Sequence, residues 1–438
     1  MAKRYTMVQA YFLLGFLLIL NILNFADRYI LANLGPLIIE DLGFSNTQLG
    51  LLIGFYFVAL YTIFGLFMGT LADRFNRPRL IAGGLFLWSL LTALSGASRN
   101  FMQLGAARLF IGIGEAALTP AAMSMLSDTF PKRLRAFASG TYYMGIPLGI
   151  GASLVVAGTL GSYIGWRACF YALGIAGILM CGVMVFLRDP PRGAGDDFGG
   201  DHTPQELEHN SLGAIVSEIV TVLRRSPSLI LTIIGSSVIV FAIQATTFDQ
   251  VWLVAERGFE QDEAAQIFGF IFMVFGTIGV FIGGVLSDMF HRWRENGRII
   301  FLVIMQVALL PFALAFRFAE SGSVFFYFCG VIGAMAITMQ YGPAFASVQD
   351  LVPPGVRSTI VAVLIFGHNF FGVGPGAFLT GYLADTFEAW GWDDPVTWST
   401  FIIGATGVLA IPCFAVAALR FQHDLRAAEK VVEEELAG

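Results

Sequence analysis

The sequence predicts an all-α membrane protein with twelve transmembrane helices in two six-helix bundles, and three observations carry that prediction. First, 56% of the 438 residues are hydrophobic and only 13% charged, with a mean hydropathy of +0.74, which leaves too little polar surface for a water-soluble fold. Second, apolar segments of spanning length fall at 8–38, 47–72, 79–98, 102–127, 136–160 and 166–187, and again at 229–254, 264–288, 298–317, 322–349, 358–383 and 398–420. Third, the halves echo each other: GTLADRF at 69–75 recurs as GVLSDMF at 284–290, and DTFPKRLR at 128–135 as DLVPPGVR at 350–357.

The first apolar stretch follows Lys3 and Arg4 but carries no small-residue cleavage site, so it reads as a retained helix rather than a secretory signal. The polar, Pro- and Gly-rich stretch RDPPRGAGDDFGGDHTPQELEHN separates the two sets of spans. The expected organisation is an N-terminal bundle at 1–187, a cytoplasmic linker with an amphipathic helix at 188–228, and a C-terminal bundle with its tail at 229–438. Within the linker, Ile215, Ile219 and Leu223 share one helical face. With both termini cytoplasmic, 19 of the 25 Lys and Arg lie on the cytoplasmic side and four outside, which is the bias that orients membrane proteins. The expected location is the cell inner (plasma) membrane. Two six-helix repeats joined by a cytoplasmic linker resemble the architecture of the major facilitator superfamily, whose halves rock about a midplane site.

Two arginines, Arg28 and Arg108, remain inside spans. The stretch NFADRY puts Asp27 and Arg28 in the first helix, while RLFIGIGEAALTP puts Arg108 and Glu115 on one face of the fourth. Each charge in hydrocarbon costs at least ~2.5 kcal/mol, so such residues face a partner or a water-filled cavity. Neighbours on a helix point about 100° apart, so Asp27 and Arg28 each need a partner on another helix. At ~1.5 Å per residue the first-helix pair lies at a depth between those of Arg108 and Glu115. A neutral network of Asp27, Arg28, Arg108 and Glu115 follows, with ion pairs that only fix packing as the bland alternative. Burial favours a neutral acid and a nearby guanidinium favours the carboxylate, so separating the two drives proton uptake.

Other elements read differently. In GTLADRFNRPR, Gly69 is expected to permit close helix approach and Asp73 to accept hydrogen bonds at a helix end. With Arg74 and Arg77 on the cytoplasmic face, the loop reads as a conformational gate. Helix 5 and helix 11 are rich in Gly and Pro, with Gly145 and Gly367 at equivalent places. His368 and Asn369 lie near the midplane of helix 11; His368 either bonds a neighbouring helix or faces a cavity. The four cysteines lack metal or disulfide spacing, no cofactor or metal is expected, nothing points to nucleic acid, and no HExxH or GxSxG motif suggests an enzyme.

The N-terminal half resembles Spinster-like (Spns) transporters of the major facilitator superfamily. The matching elements are NxxDR at Asn24, Asp27 and Arg28, GxLADRxNR at 69–77, GGxxxWSLxT at 83–92, RxxxGxGEA at 108–116, and YxxxIPxG ending at Gly149. The resemblance implies a proton-linked transporter of lysophospholipids or sphingosine-1-phosphate-like lipids; the expected partners are that substrate, protons and membrane lipids, with the chain a monomer. It places Asp27 and Glu115 in proton coupling and Arg28, Arg108 and Asn24 around the head group. A small-carboxylate organic-anion/proton symporter is the alternative.

Overall fold

The computed structural model describes residues 6–192, 221, 223–352 and 357–437. Among them, twelve helical segments are long and apolar enough to span a membrane: α1 (Met7–Asn33), α2 (Asn46–Gly65), α3 (Arg77–Gly96), α4 (Phe101–Thr129), α5 (Arg133–Ile164) and α6 (Trp166–Phe186). In the second half these are α7 (Pro227–Ala255), α8 (Gln261–Trp293), α9 (Gly297–Ala315), α10 (Val324–Asp350), α11 (Thr359–Ala389) and α12 (Pro395–Arg426). The helix of α2 continues to Arg74.

Local chemistry fixes several helix starts. Thr6 and Gln9 cap α1 reciprocally, as Ser45 and Gln48 cap α2, each pair satisfying backbone N–H groups that a helix start leaves open. The side chains of Asn76, Asn100 and Ser323 each accept from one backbone N–H, of Arg79, Gln103 and Phe326, at the starts of α3, α4 and α10. The first span is shorter than its apolar run at 8–38 suggests. It ends at Asn33, and a separate helix, Gly35–Leu42, starts with Pro36 in its first turn, where a missing N–H costs nothing. Of the 188–228 linker, residues 193–220 and 222, and with them most of the expected amphipathic helix, lie outside the described residues.

Two spans are broken at corresponding places. The helix of α4 is interrupted by Ala116 and Ala117, directly after Glu115. That of α10 is interrupted at Gln340. A widened π-helical stretch, His368–Val373, interrupts α11.

The chain forms two compact units. One is drawn from Met1–His202, Thr247–Val274 and Gly381–Val396, the other from Thr203–Thr246, Phe275–Thr380 and Thr397–Gly438. One end each of α7, α8 and α11 thus belongs to the unit that holds most of the first half of the chain. Within the first unit, the Asp385 carboxylate of α11 caps the start of α2, accepting from the N–H groups of Asn46 (2.9 Å) and Thr47 (2.8 Å) and from the Thr47 hydroxyl (2.5 Å). Gln261 of α8 donates to the Asn33 carbonyl at the end of α1 (2.9 Å).

Glycines set how closely the helices of this unit cross. A Cβ on Gly114 of α4 would lie 2.5 Å from the Gly84 carbonyl oxygen of α3, and one on Gly112 would lie 2.6 Å from the Phe57 carbonyl oxygen of α2. On α5, Gly145 meets Asn21 and Gly149 meets Ile22 and Phe25 of α1. No side chain larger than hydrogen fits there, so these backbones approach as closely as lipid-embedded helices do when packing, rather than hydrophobic transfer, holds them.

In the second unit, Leu229, Ile239, Phe301, Leu302, Leu364 and Phe414 are central members of a buried core. Polar ties cross it: Gln306 donates to the Gly407 carbonyl (3.2 Å), and the Asp424 carboxylate accepts from the backbone N–H (2.8 Å) and the hydroxyl of Ser228.

Candidate functional site

The four intramembrane charges of the first half come together, with a division of labour that follows from helix geometry. Arg28 reaches toward α4 and donates from Nε (3.1 Å) and Nη2 (2.9 Å) to Glu115 Oε2. Asp27, about 100° further round α1, reaches instead toward α3, where the Thr92 hydroxyl donates to its Oδ2 at 2.5 Å. Arg108 is fully buried and donates from Nη2 to the Arg28 carbonyl (3.0 Å) and from Nη1 to the Asp27 carbonyl (3.4 Å). Arg28 and Glu115 thus form a direct ion pair, while Arg108 grips the α1 backbone and Asp27 bonds a neutral hydroxyl. Asp27 Oδ1 and Arg108 Nε have no hydrogen-bond partner among the described residues.

Aromatic rings complete the surroundings. The Arg28 guanidinium carbon lies 4.9 Å over the Phe25 ring, 4.8 Å over Phe57 and 4.7 Å over Tyr61. Arg108 shares Phe57 at 5.2 Å. Of the ion pair, Glu115 has no exposed side-chain surface, whereas 21% of the Arg28 side chain is exposed. Asn24 is buried one turn before Arg28, on the same side of α1.

Thr92 was not singled out as a site residue from the sequence, although it closes the GGxxxWSLxT element. Gly84 and Gly114 let α3 and α4 touch, and on α3 the Thr92 hydroxyl lies within bonding distance of Asp27 of α1.

The gate element departs from its reading in two respects. A Cβ on Gly69 would meet nothing within 4 Å, so close packing does not require glycine there. Arg77, expected at the cytoplasmic face, is fully buried: it bonds Asp189 Oδ1 (2.7 Å), Ser124 Oγ (2.9 Å), the Pro190 carbonyl (2.5 Å) and the Asp128 carboxylate. It stands at the first turn of α3, which Asn76 caps. Arg74 is exposed, and the Asp73 side chain lies outside the described residues.

In the second half, His368 is buried and its Nε2 lies 2.7 Å from Ser236 Oγ of α7, with Phe345 edge-on at 6.0 Å. Of the two readings open for His368, this is the neighbouring-helix bond. Asn369 is half-buried.

A helical protein with twelve candidate spans and sequence repeats between its halves defines the class. The profile of the Major Facilitator Superfamily matches residues 17–375, and the chain belongs to that family. Within it the chain is Spinster-like. It is 28% identical to an MFS-type efflux pump of Mycolicibacterium smegmatis, covering 97% of this chain and 96% of that one. It is 27% identical to protein spinster of Drosophila melanogaster over 86% of this chain, spanning 62% of the fly protein's length. It is 25% identical to the sphingosine-1-phosphate transporter SPNS2 of Danio rerio over 84% and 75%. Among solved structures, a bacterial homologue of the human lysosomal transporter Spinster, inward-facing and unoccupied, superposes with a TM-score of 0.80 at 25% identity, covering 95% of this chain and 98% of that one. The protein is therefore a multi-pass membrane transporter of the Major Facilitator Superfamily, similar to Spinster proteins, and not an enzyme.

Proposed function

We propose that the protein is a proton-coupled secondary active transporter of lysophospholipid or sphingosine-1-phosphate-like amphiphiles, working by alternating access in the inner (plasma) membrane with both termini cytoplasmic. The observation that carries this reading is the Arg28–Glu115 pair, in which the cation keeps exposed surface and the carboxylate keeps none. An anionic head group takes Arg28 in charge-assisted hydrogen bonds. Glu115, losing its partner in a low-dielectric setting, then takes up a proton. Arg108, bonded to two carbonyls of α1, serves as the scaffold of the network, and Asp27 with Thr92 is its second proton-holding group, so the carboxylates titrate as one set. The names of the sphingolipid-transporting relatives support a single-tailed substrate. The loop at Gly69, Asp73, Arg74 and Arg77 acts as the gate, Arg77 by fastening α3 to the segment after α6.

The test is transport in proteoliposomes under an imposed pH gradient with Asp27→Asn and Glu115→Gln. Loss of pH-driven accumulation in at least one variant is expected, and normal accumulation in both overturns the coupling. A graded lysolipid series tests the substrate. Affinity is expected to rise with chain length, by up to ~0.8 kcal/mol per buried methylene. A flat series with tight binding of a small carboxylate moves the assignment to an organic-anion symporter.

A further inference from the structure

Arg28 is held in a way that its role as an anion receptor does not by itself require. Its Nε and Nη2 are both spent on one oxygen of Glu115, and its guanidinium carbon sits over three ring faces at 4.7 to 4.9 Å. Two of those rings come from α2, where Phe57 and Tyr61 are one helical turn apart and stack at 5.2 Å. The third, Phe25, comes from α1.

Close helix crossings put all three in place. Gly112 leaves no room for a Cβ against the Phe57 carbonyl and the Tyr61 N–H, and Gly149 leaves none against the Phe25 Cβ. The glycines of two separate sequence elements therefore serve one cation.

A ring face is the negative end of an aromatic quadrupole, so it stabilises a guanidinium without consuming any of its N–H donors. A cation held only by Glu115 swings away or re-solvates when that carboxylate lets go. One held also by three rings stays where it is, with its donors free for the incoming anion. The rings crowd its surroundings, and only 21% of the side chain stays exposed. That favours a compact oxyanion that can take the donors in the guanidinium plane.

We infer that Phe25, Phe57 and Tyr61 are positioning residues that keep Arg28 fixed while Glu115 and the substrate's oxyanion exchange on it, so that the rings set the preference for a compact phosphate or carboxylate group over a neutral head. This rests on the assignment of Arg28 to the head group given above.

The test uses the full-length protein in mild detergent with three probes: a lysophosphatidylglycerol, a monoacylglycerol of the same chain length, and benzoate. Phe25→Leu and Tyr61→Leu keep apolar bulk but remove the ring, on two different helices, and Tyr61→Phe keeps the ring. Each lost ring is expected to weaken lysophosphatidylglycerol binding by about 2- to 30-fold, with monoacylglycerol binding unchanged and Tyr61→Phe like wild type. Folded Leu variants that bind the anions as wild type does overturn the inference. So does an equal loss for monoacylglycerol, or a loss in Tyr61→Phe as large as in Tyr61→Leu, which assigns the effect to the hydroxyl. If wild type binds benzoate but no lysolipid, and the Leu variants weaken benzoate, the cage stands and the lipid reading falls. If wild type binds neither anion, both fall.

Discussion

Arg77 and Arg298 stand 221 residues apart at corresponding places in the two halves, and each clamps the span that follows it in its own half. Arg77 meets Asp128 at the end of α4, and Arg298 meets Asp350 at the end of α10 (2.5 Å). Their second partners differ. Arg77 takes Asp189 and the Pro190 carbonyl, just beyond α6, and has no exposed side-chain surface; Arg298 takes Asp288 of the preceding helix (2.9 Å) and keeps 18% exposed. The repeat thus preserves the clamp, and only the first half has sunk it below the surface and used it to anchor the chain that leaves the bundle.

The centre of the halves diverges further. Gly145 packs against Asn21 and, in the second half, Gly367 against Ser237, the same contact 216 and 222 residues on. At those offsets Asp27 and Arg28 correspond to Ile243 and Gln244, and Arg108 and Glu115 to Gly330 and Ile337. Close-packing positions are repeated and the charges are not. The lesson is that the repeat specifies a scaffold, while the chemistry was placed on one copy of it.

The largest expected effect breaks the clamps. Arg77→Ala empties a fully buried guanidinium site and leaves Asp128 and Asp189, 15% and 21% exposed, without their cation, and is expected to cost about 2–3 kcal/mol, whereas Arg298→Ala, whose cation and both partners keep exposed surface, is expected to cost about 1 kcal/mol. Melting of the two variants side by side in one detergent reads the difference, and equal losses would mean the clamps are equivalent.

Next come the central hydrogen bonds. Thr92→Val leaves Asp27 Oδ2 without its donor and is expected to cost about 1–3 kcal/mol. Ser236→Ala leaves one imidazole nitrogen of His368 without its partner and no carboxylate stranded, so the loss is expected to be about 1 kcal/mol. Only Thr92→Val is expected to alter the pH dependence of transport, and a matching change in Ser236→Ala would place titration in the second half as well.

A pair of glycines sharpens the argument about scaffold. Gly112→Ala drives a methyl into the α2 backbone and is expected to destabilise by about 1–3 kcal/mol. Gly69→Ala meets open space inside a helix and is expected to stabilise by about 0.5–1 kcal/mol, while still slowing transport if the loop must close against another helix during the cycle. Stability and turnover measured together separate packing from gating.

The smallest effect lies outside the spans. The Arg167 guanidinium, with the Trp166 N–H, holds the Asp41 carboxyl below the ordinary carboxylate value of 3.8. The folded form therefore gains from ionised Asp41 above that value and loses the gain as pH falls through the lowered one. Because 46% of the Asp41 side chain is exposed, solvent and salt screen the pair. The melting difference between wild type and Asp41→Asn is expected to be small near neutrality, to shrink with added salt, and to vanish in strong acid.

Much of this protein was determined by the sequence alone, because the controlling quantities are local. Spanning length, the polar linker between the two sets of spans and the repeat of Asp128 in Asp350 need only the chain's own order of residues. So does the identity of the four intramembrane charges, since each is costly wherever it sits in lipid. The end of the first span before Pro36 was not among them, because the apolar run continues to 38. Tertiary structure alone decided which group each charge faces. That depends on the rotation and closeness of neighbouring helices, set by contacts between residues far apart in the chain such as Gly84 with Gly114 and Gly112 with Phe57. The tertiary arrangement gave Asp27 to Thr92 rather than to an arginine side chain, put three rings around Arg28, and buried Arg77, whose position in an arginine-rich loop reads as surface until Asp128 and Asp189 are brought to it.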